Sequence, residues 1–260
     1  MRRARFLADK LARELLSRAE VPAAARVDIR AVADRLGAQV ISIKMAQDGR
    51  LVMDGDKALI YTNADQPRAR QRFTVAHELG HFACRSPRLS SPVVEGTREA
   101  FRSSETMCDT IAGSLLMPYW WVKREFRAAP NDDERPLSVV QDLARAADVS
   151  LAAALVRLRD VLGWRQTLLH WTKDDEGWTF DAEAGLFPWE QGMVIPAKSV
   201  GMHLSHARAK GTGAIQETCL PLVLGGYEGQ VYAEVIARSN SVIALIELPA
   251  TGDYRTRQTQ

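Results

Sequence analysis

The sequence predicts an α+β protein built of three parts, and three observations carry that prediction. Helical periodicity runs through residues 1–128 and breaks once, around 39–62, into short alternating segments. Two short helices joined by a tight turn follow within 131–163. From 164 to 260 the pattern alternates and carries many turn residues, which reads as a mainly β domain, sensory or regulatory in role.

The composition places the chain among globular proteins. Of its 260 residues 46% are hydrophobic and 25% charged, which excludes a disordered tail or a fibre. The 34 basic and 32 acidic residues leave a net charge of +2, too balanced for nucleic acid or an anionic membrane to be the main partner. Three widely spaced cysteines, Cys84, Cys108 and Cys219, argue against a disulfide framework and for a reducing compartment. The basic N-terminus has no apolar core and is interrupted by Asp9 and Glu14, so a secretory signal is not expected. No apolar run approaches 18 residues. The expectation is a soluble, cytoplasmic protein without a membrane partner.

Taken in order, residues 4–18 place Phe6, Leu7, Leu11, Leu15 and Leu16 on one helical face. A second helix spans Asp28–Leu36 and stops at Gly37. Gln39–Met45, Arg50–Met53 and Lys57–Thr62 read as strands, and Asp48-Gly49 and Asp54-Gly55 read as tight turns between them. That pattern predicts a small antiparallel meander. Helices then cover Gln71 to Cys84, Glu99 to Met117, where Pro118 cuts the run, and Trp120–Arg127. The charged stretch 129–136, bracketed by prolines, marks a boundary. Leu137–Ala147 and Ser150–Leu162 make a helix-turn-helix-like module. A helix at Ser199–Ala209 interrupts the final β region.

One motif carries chemistry. His77-Glu78-Leu79-Gly80-His81 reads H-E-x-x-H on a predicted helix. A spacing of four residues advances about 6 Å along the axis and only about 40° around it, so both imidazoles leave one face. Two ligands need that separation to share one metal ion, and Glu78 stands close enough to reach a water on it. A random chain of this composition would contain such a match about 0.006 times. The alternative is a pair of structural histidines.

A catalytic zinc site takes three protein ligands and keeps a fourth position for water. The candidates for the third are Glu95, Glu99, Glu105 and Asp109. Glu95 falls in a turn-rich stretch, where a ligand is harder to hold. Glu105 and Asp109 are four apart on the next helix, whereas Met107, Ile111, Leu115 and Leu116 lie largely on its other side. Glu105 is therefore the expected ligand, and Asp109 the acceptor for the far nitrogen of His77 or His81. A solvated acidic helix edge is the plainer alternative. The cation is most simply zinc, with manganese or another divalent metal as substitutes.

With those residues in view, the sequence resembles the ImmA/IrrE family of metallo-endopeptidases. The likeness lies in Arg72-Phe-Thr-Val-Ala-His77-Glu-Leu-Gly-His81, in Glu105-Thr-Met-Cys-Asp109 and in Leu115-Leu-Met-Pro118. The Glu105/Asp109 pair also resembles the third-ligand helix of thermolysin-like gluzincins. The resemblance is strong over 1–128, moderate over 137–163 and says little about 165–260. Many relatives have Asn where this chain has Asp109. It implies a zincin-like metallopeptidase domain at 1–128 in a bacterial protease that cleaves a helix-turn-helix transcriptional repressor. Such cleavage would switch on stress-response or mobile-element genes.

In the expected mechanism Glu78 takes a proton from the attacking water and passes it to the leaving amine. Substrate would lie extended along a sheet edge, either Leu51–Met53 or Lys57–Thr62. Tyr61, Tyr119 and Arg72 are candidates to stabilise the oxyanion. Cys84 and Cys108 read as small buried residues, with a redox-sensitive thiol at the metal as the alternative. His203 and His206 make a weak second pair without acidic or Cys neighbours, and the tryptophans read as packing residues. Two rival functions remain: a metal-binding protein that sequesters the repressor without cutting it, and a DNA-binding regulator. For the second, only Arg157 and Arg159 on the recognition helix could reach DNA, which makes direct binding an unfavoured reading.

Overall fold

In the computed structural model, the described residues are 2–22, 26–54, 57–89, 93–95, 105–126, 135–173, 178–185, 215–224, 227–237 and 241–247. They form an α+β protein that divides into two compact units, Met1–Arg127 with Leu143–Ala153, and Ala128–Asp142 with Ala154–Gln260. The segment 131–163 is shared between these units.

The first unit opens with α1 (Arg2–Arg18), whose buried stripe is Ala8, Leu11, Ala12, Leu15 and Leu16. Phe6 departs from the expected inward face. It sits two residues from Ala8, about 200° around the helix, and is exposed with Lys10 Nζ 4.9 Å above its ring. Helix α2 (Ile29–Arg35) starts where the Asp28 carboxylate accepts the backbone N–H groups of Arg30 and Ala31 at 3.1 and 3.3 Å. It ends at Gly37, whose φ of +88° suits a residue without a side chain.

Three strands follow: β1 (Ala38–Ile43), β2 (Gly49–Asp54) and β3 (Lys57–Asn63). They do not form the expected antiparallel meander. The order is β1-β3-β2, β1 pairs β3 in parallel, and only the β2–β3 hairpin is antiparallel. The link 44–48 carries the chain past the slot that β3 later fills, a span of roughly 10 Å that five residues easily cover. Asp48-Gly49 is consequently no hairpin turn, and Gly49 already pairs with Thr62. Burial explains the arrangement, because Ala58, Ile60 and Thr62 of β3 are buried and belong in the centre. Lys57–Thr62 is thus excluded as a sheet edge; β2 remains one.

Helix α3 (Arg68–Arg85) lies across this sheet and packs on α4 (Glu105–Leu116), which α1 also contacts. The expected helical start at Glu99 lies outside the described residues. Short α5 (Tyr119–Glu125) begins directly after Pro118. Helices α6 (Pro136–Ala147) and α7 (Leu151–Leu162) follow, joined through Asp148 at φ +54°, with Ser150 Oγ accepting the N–H of Ala153 at 3.1 Å.

That turn is held by Arg72, which is buried. Its guanidinium donates to the carbonyls of Val27 at 2.9 Å, Ala147 at 3.1 Å and Asp148 at 3.2 Å. The Asp148 carboxylate faces Arg26, Arg68 and Arg72. Arg72 is therefore a strut with its donors committed to the backbone, which removes it as an oxyanion candidate.

The second unit contains a five-stranded antiparallel sheet of β4 (Gln166–Lys173), β5 (Trp178–Gly185), β6 (Ile215–Leu224), β7 (Tyr227–Ala237) and β8 (Ser241–Glu247). Its order is β5-β4-β8-β7-β6. The expected helix at Ser199–Ala209 and the pair His203/His206 lie outside the described residues. Buried Glu234 on β7 accepts the Leu137 N–H at 2.6 Å, satisfying a free donor in the first turn of α6. Burial pushes its carboxyl pKa up, against the pull of that bond.

Two outcomes follow from these buried polar groups. Arg72→Met leaves three carbonyls without a donor and should lower stability by about 3 kcal/mol in urea unfolding. Because the folded pKa of Glu234 is raised, its favourable contribution is complete below the ordinary carboxylate pKa and fades as pH rises through the folded value. Thermal melts across that range should show Glu234→Gln losing less stability with rising pH than the parent protein.

Candidate metal centre

The helix period does what the sequence spacing implies. His77 and His81 leave the same face of α3, and their Nε2 atoms stand 3.1 Å apart with the rings edge to face. Glu105, the first residue of α4, brings its carboxylate to both: Oε2 is 3.0 Å from His77 Nε2, and Oε1 is 3.5 Å from His81 Nε2. Asp109, one turn further on, accepts from His77 Nδ1 at 2.8 Å. Of the two histidines left open by the sequence, His77 is the one Asp109 meets. Glu95 is exposed, and Glu99 lies outside the described residues.

Close helix packing makes this convergence geometrically available. A β-carbon on Gly80 would stand 3.4 Å from the Cα of Cys108 and 3.5 Å from Ile111, in ordinary contact, so about one β-carbon's width separates the helices beside the histidines. The buried side of α4, with Met107, Ile111, Leu115 and Leu116, anchors it in the apolar core. Its other side therefore presents Glu105 and Asp109.

Electrostatics follow from the same contacts. The hydrogen bond to Asp109 holds the His77 pKa up, against the opposing effect of burial. Burial pushes Glu78 above the ordinary carboxylate range, while His81 and His77 pull it back. Burial also pushes the Cys108 thiol up to about 12.

The donor set fits a divalent cation. Ligand atoms bonded tetrahedrally to zinc at ~2.0–2.1 Å lie about 3.3 Å from one another. The imidazole–imidazole and imidazole–carboxylate separations of 3.0–3.5 Å bracket that value. His77, His81 and Cys108 also place one donor each within 4.8 Å of one another. The sulfur, however, lies against His81 Nδ1 at 3.4 Å, on the side of the ring away from Glu105. Two imidazoles with the Glu105 carboxylate therefore make the better set, and Cys108 is both the small buried residue the sequence suggests and a neighbour of the centre, as its alternative reading allowed.

The sheet reaches the centre through Gly49. A β-carbon there would overlap Thr74 Cγ2 and lie 3.5 Å from Glu78 Oε1, so the start of β2 runs directly beside the acid of the motif. Of the remaining oxyanion candidates, Tyr61 lies on central β3, and the Tyr119 hydroxyl is 3.0 Å from Lys123 Nζ.

A model of the IrrE N-terminal-like domains, Peptidase_M78, matches residues 33–159, which include both motif helices. Residues 33–159 are thus a domain of the ImmA/IrrE kind. That model is one of peptidases, so the coarse reading of the matched domain is metallopeptidase-like. The chain is also similar to a solved structure described as a Mycobacterium tuberculosis transcriptional regulator. The TM-score is 0.50 and the identity 13%, over 94% of this chain and 79% of that one. At such identity the likeness concerns fold alone. No curated protein matches the chain. Among the described residues, no helix is long and apolar enough to cross a membrane.

Gly49→Ala should push β2 away from α3. The expected loss is about 1–3 kcal/mol in denaturant unfolding, with divalent-metal affinity nearly kept because the three donors sit on α3 and α4.

Proposed function

We propose that this protein is a metal-dependent endopeptidase that cleaves a helix-turn-helix transcriptional repressor, inducing a stress or mobile-element response. Its first unit would then be a zincin-like peptidase domain. The reading rests on the closure of Glu105 onto the two imidazoles, with Glu78 rising from the same helix.

His77, His81 and Glu105 would hold the cation, most simply Zn²⁺, with Mn²⁺ or another divalent metal able to substitute. When bound, it supplies Lewis acidity, which polarises a carbonyl and brings water within reach of deprotonation near neutral pH. Glu78 acts as the base for that water and returns the proton to the departing amine. Its partly buried position, which favours the protonated form, suits a group that must both take and give a proton. Asp109 fixes the His77 tautomer so that Nε2 faces the cation.

The substrate strand would add along the free edge of β2, whose first residue adjoins Glu78. A protein partner rather than DNA is supported by the second helix of the α6–α7 pair. Arg157 there is buried, and Arg159 Nε pairs with Asp160 at 3.1 Å. The identity of the repressor class comes from the family resemblance, and a cytoplasmic setting goes with it.

Co-incubation with the helix-turn-helix repressor encoded beside this chain's own gene tests the reading. Two fragments that vanish with a chelator and return with Zn²⁺ are expected. An intact, stable complex would instead mean sequestration without hydrolysis. Glu78→Gln should keep its metal and lose about 10²–10⁴-fold in cleavage rate; full activity would remove Glu78 from the mechanism.

A further inference from the structure

The two histidines differ in what stands behind them. His77 Nδ1 meets a carboxylate at 2.8 Å, whereas His81 Nδ1 meets the sulfur of Cys108 at 3.4 Å. We propose that Cys108 is a positioning residue for His81: its sulfur accepts the Nδ1–H, fixing the tautomer and ring angle that turn Nε2 toward His77 and Glu105. The inference rests on the metal-centre reading above and adds to it a sixth side chain.

Three features support it. Glu105, Cys108 and Asp109 stand at i, i+3 and i+4 on α4, so one helical turn presents the carboxylate donor and the rear partners of both imidazoles. Cys108 is buried, and its backbone packs opposite Gly80 of α3, so the sulfur is delivered from a fixed point. The sulfur also faces the ring nitrogen turned away from the Glu105 carboxylate, where it can orient the imidazole without sharing its ligand position. An imidazole that coordinates through one nitrogen needs an acceptor at the other to hold its orientation, and a thiol sulfur is a weak acceptor. His81 is accordingly the less firmly held of the two.

The test measures Zn²⁺ affinity by competition with a chromogenic chelator. Cys108→Ala and the better-filling Cys108→Val both remove the acceptor, and Cys108→Ser restores one. Alanine and valine should weaken Zn²⁺ binding about 10-fold, and serine should return it to within about threefold of the parent. Exposed Cys219→Ala serves as the control and should change nothing. Metal-free thermal unfolding identifies any variant that fails to fold, and the serine–valine comparison then decides. Co²⁺-loaded parent protein should show no sulfur-to-metal charge-transfer absorption.

Parent-like affinity in the valine variant, or serine no better than valine, would overturn the proposal. So would a charge-transfer band lost in Cys108→Ser, which would make the sulfur a ligand. A parent protein that binds no divalent metal would bring down the metal-centre reading itself, and that result is visible before any variant is compared.

Discussion

The packing of α3 on α4 is the constraint on which the rest depends. The helices pack against each other at Gly80 and Cys108, and side chains on neighbouring turns meet there. His77 and His81 come from one helix, and Glu105, Cys108 and Asp109 from the other. A shift of one helix by a single residue would rotate its contribution by about 100° and dissolve the cluster. The register is guarded from the apolar side, where Leu79, Phe82, Ile111 and Leu115 are buried. The polar centre is thus a by-product of a well-specified core, and its precision is that of the core.

The polar struts elsewhere follow the same logic. Arg72 belongs to the first helical turns of the motif helix, yet its donors serve the backbone of the α6–α7 turn and of Val27. In the second unit, Glu234 serves the first turn of α6 in the same manner. Arg72 and Glu234 each answer backbone groups that local secondary structure leaves unpaired.

Much of the centre was legible in the sequence because helix geometry is nearly invariant. Spacing of four fixes His77 beside His81 and Glu105 beside Asp109, and the apolar residues of α4 show which side faces inward. Pairing between strands has no such invariance. Nothing in the alternation of 39–62 says that β3 inserts between β1 and β2, and Asp48-Gly49 imitates a hairpin turn. Gly49 is a glycine for a tertiary reason, the approach of Thr74 and Glu78, which only the assembled sheet discloses. The partners of Arg72 and Cys108 were hidden in the same way. A side chain's type does not reveal which distant backbone or ring it will meet, although the place of Cys108 between Glu105 and Asp109 was a usable signal. Phe6 shows the converse error, an aromatic ring grouped with the inward face of its helix and found exposed beneath Lys10 Nζ.

The bare backbone at the head of β2 also ties two properties together that many enzymes keep apart. In a peptidase built this way, the groove wall that selects a polypeptide and the carboxyl that shuttles its proton share one van der Waals boundary. Reshaping the wall displaces the shuttle. Selectivity and turnover would then have to be altered jointly, and changes of preference would be easier to reach from the far end of the strand than from its beginning.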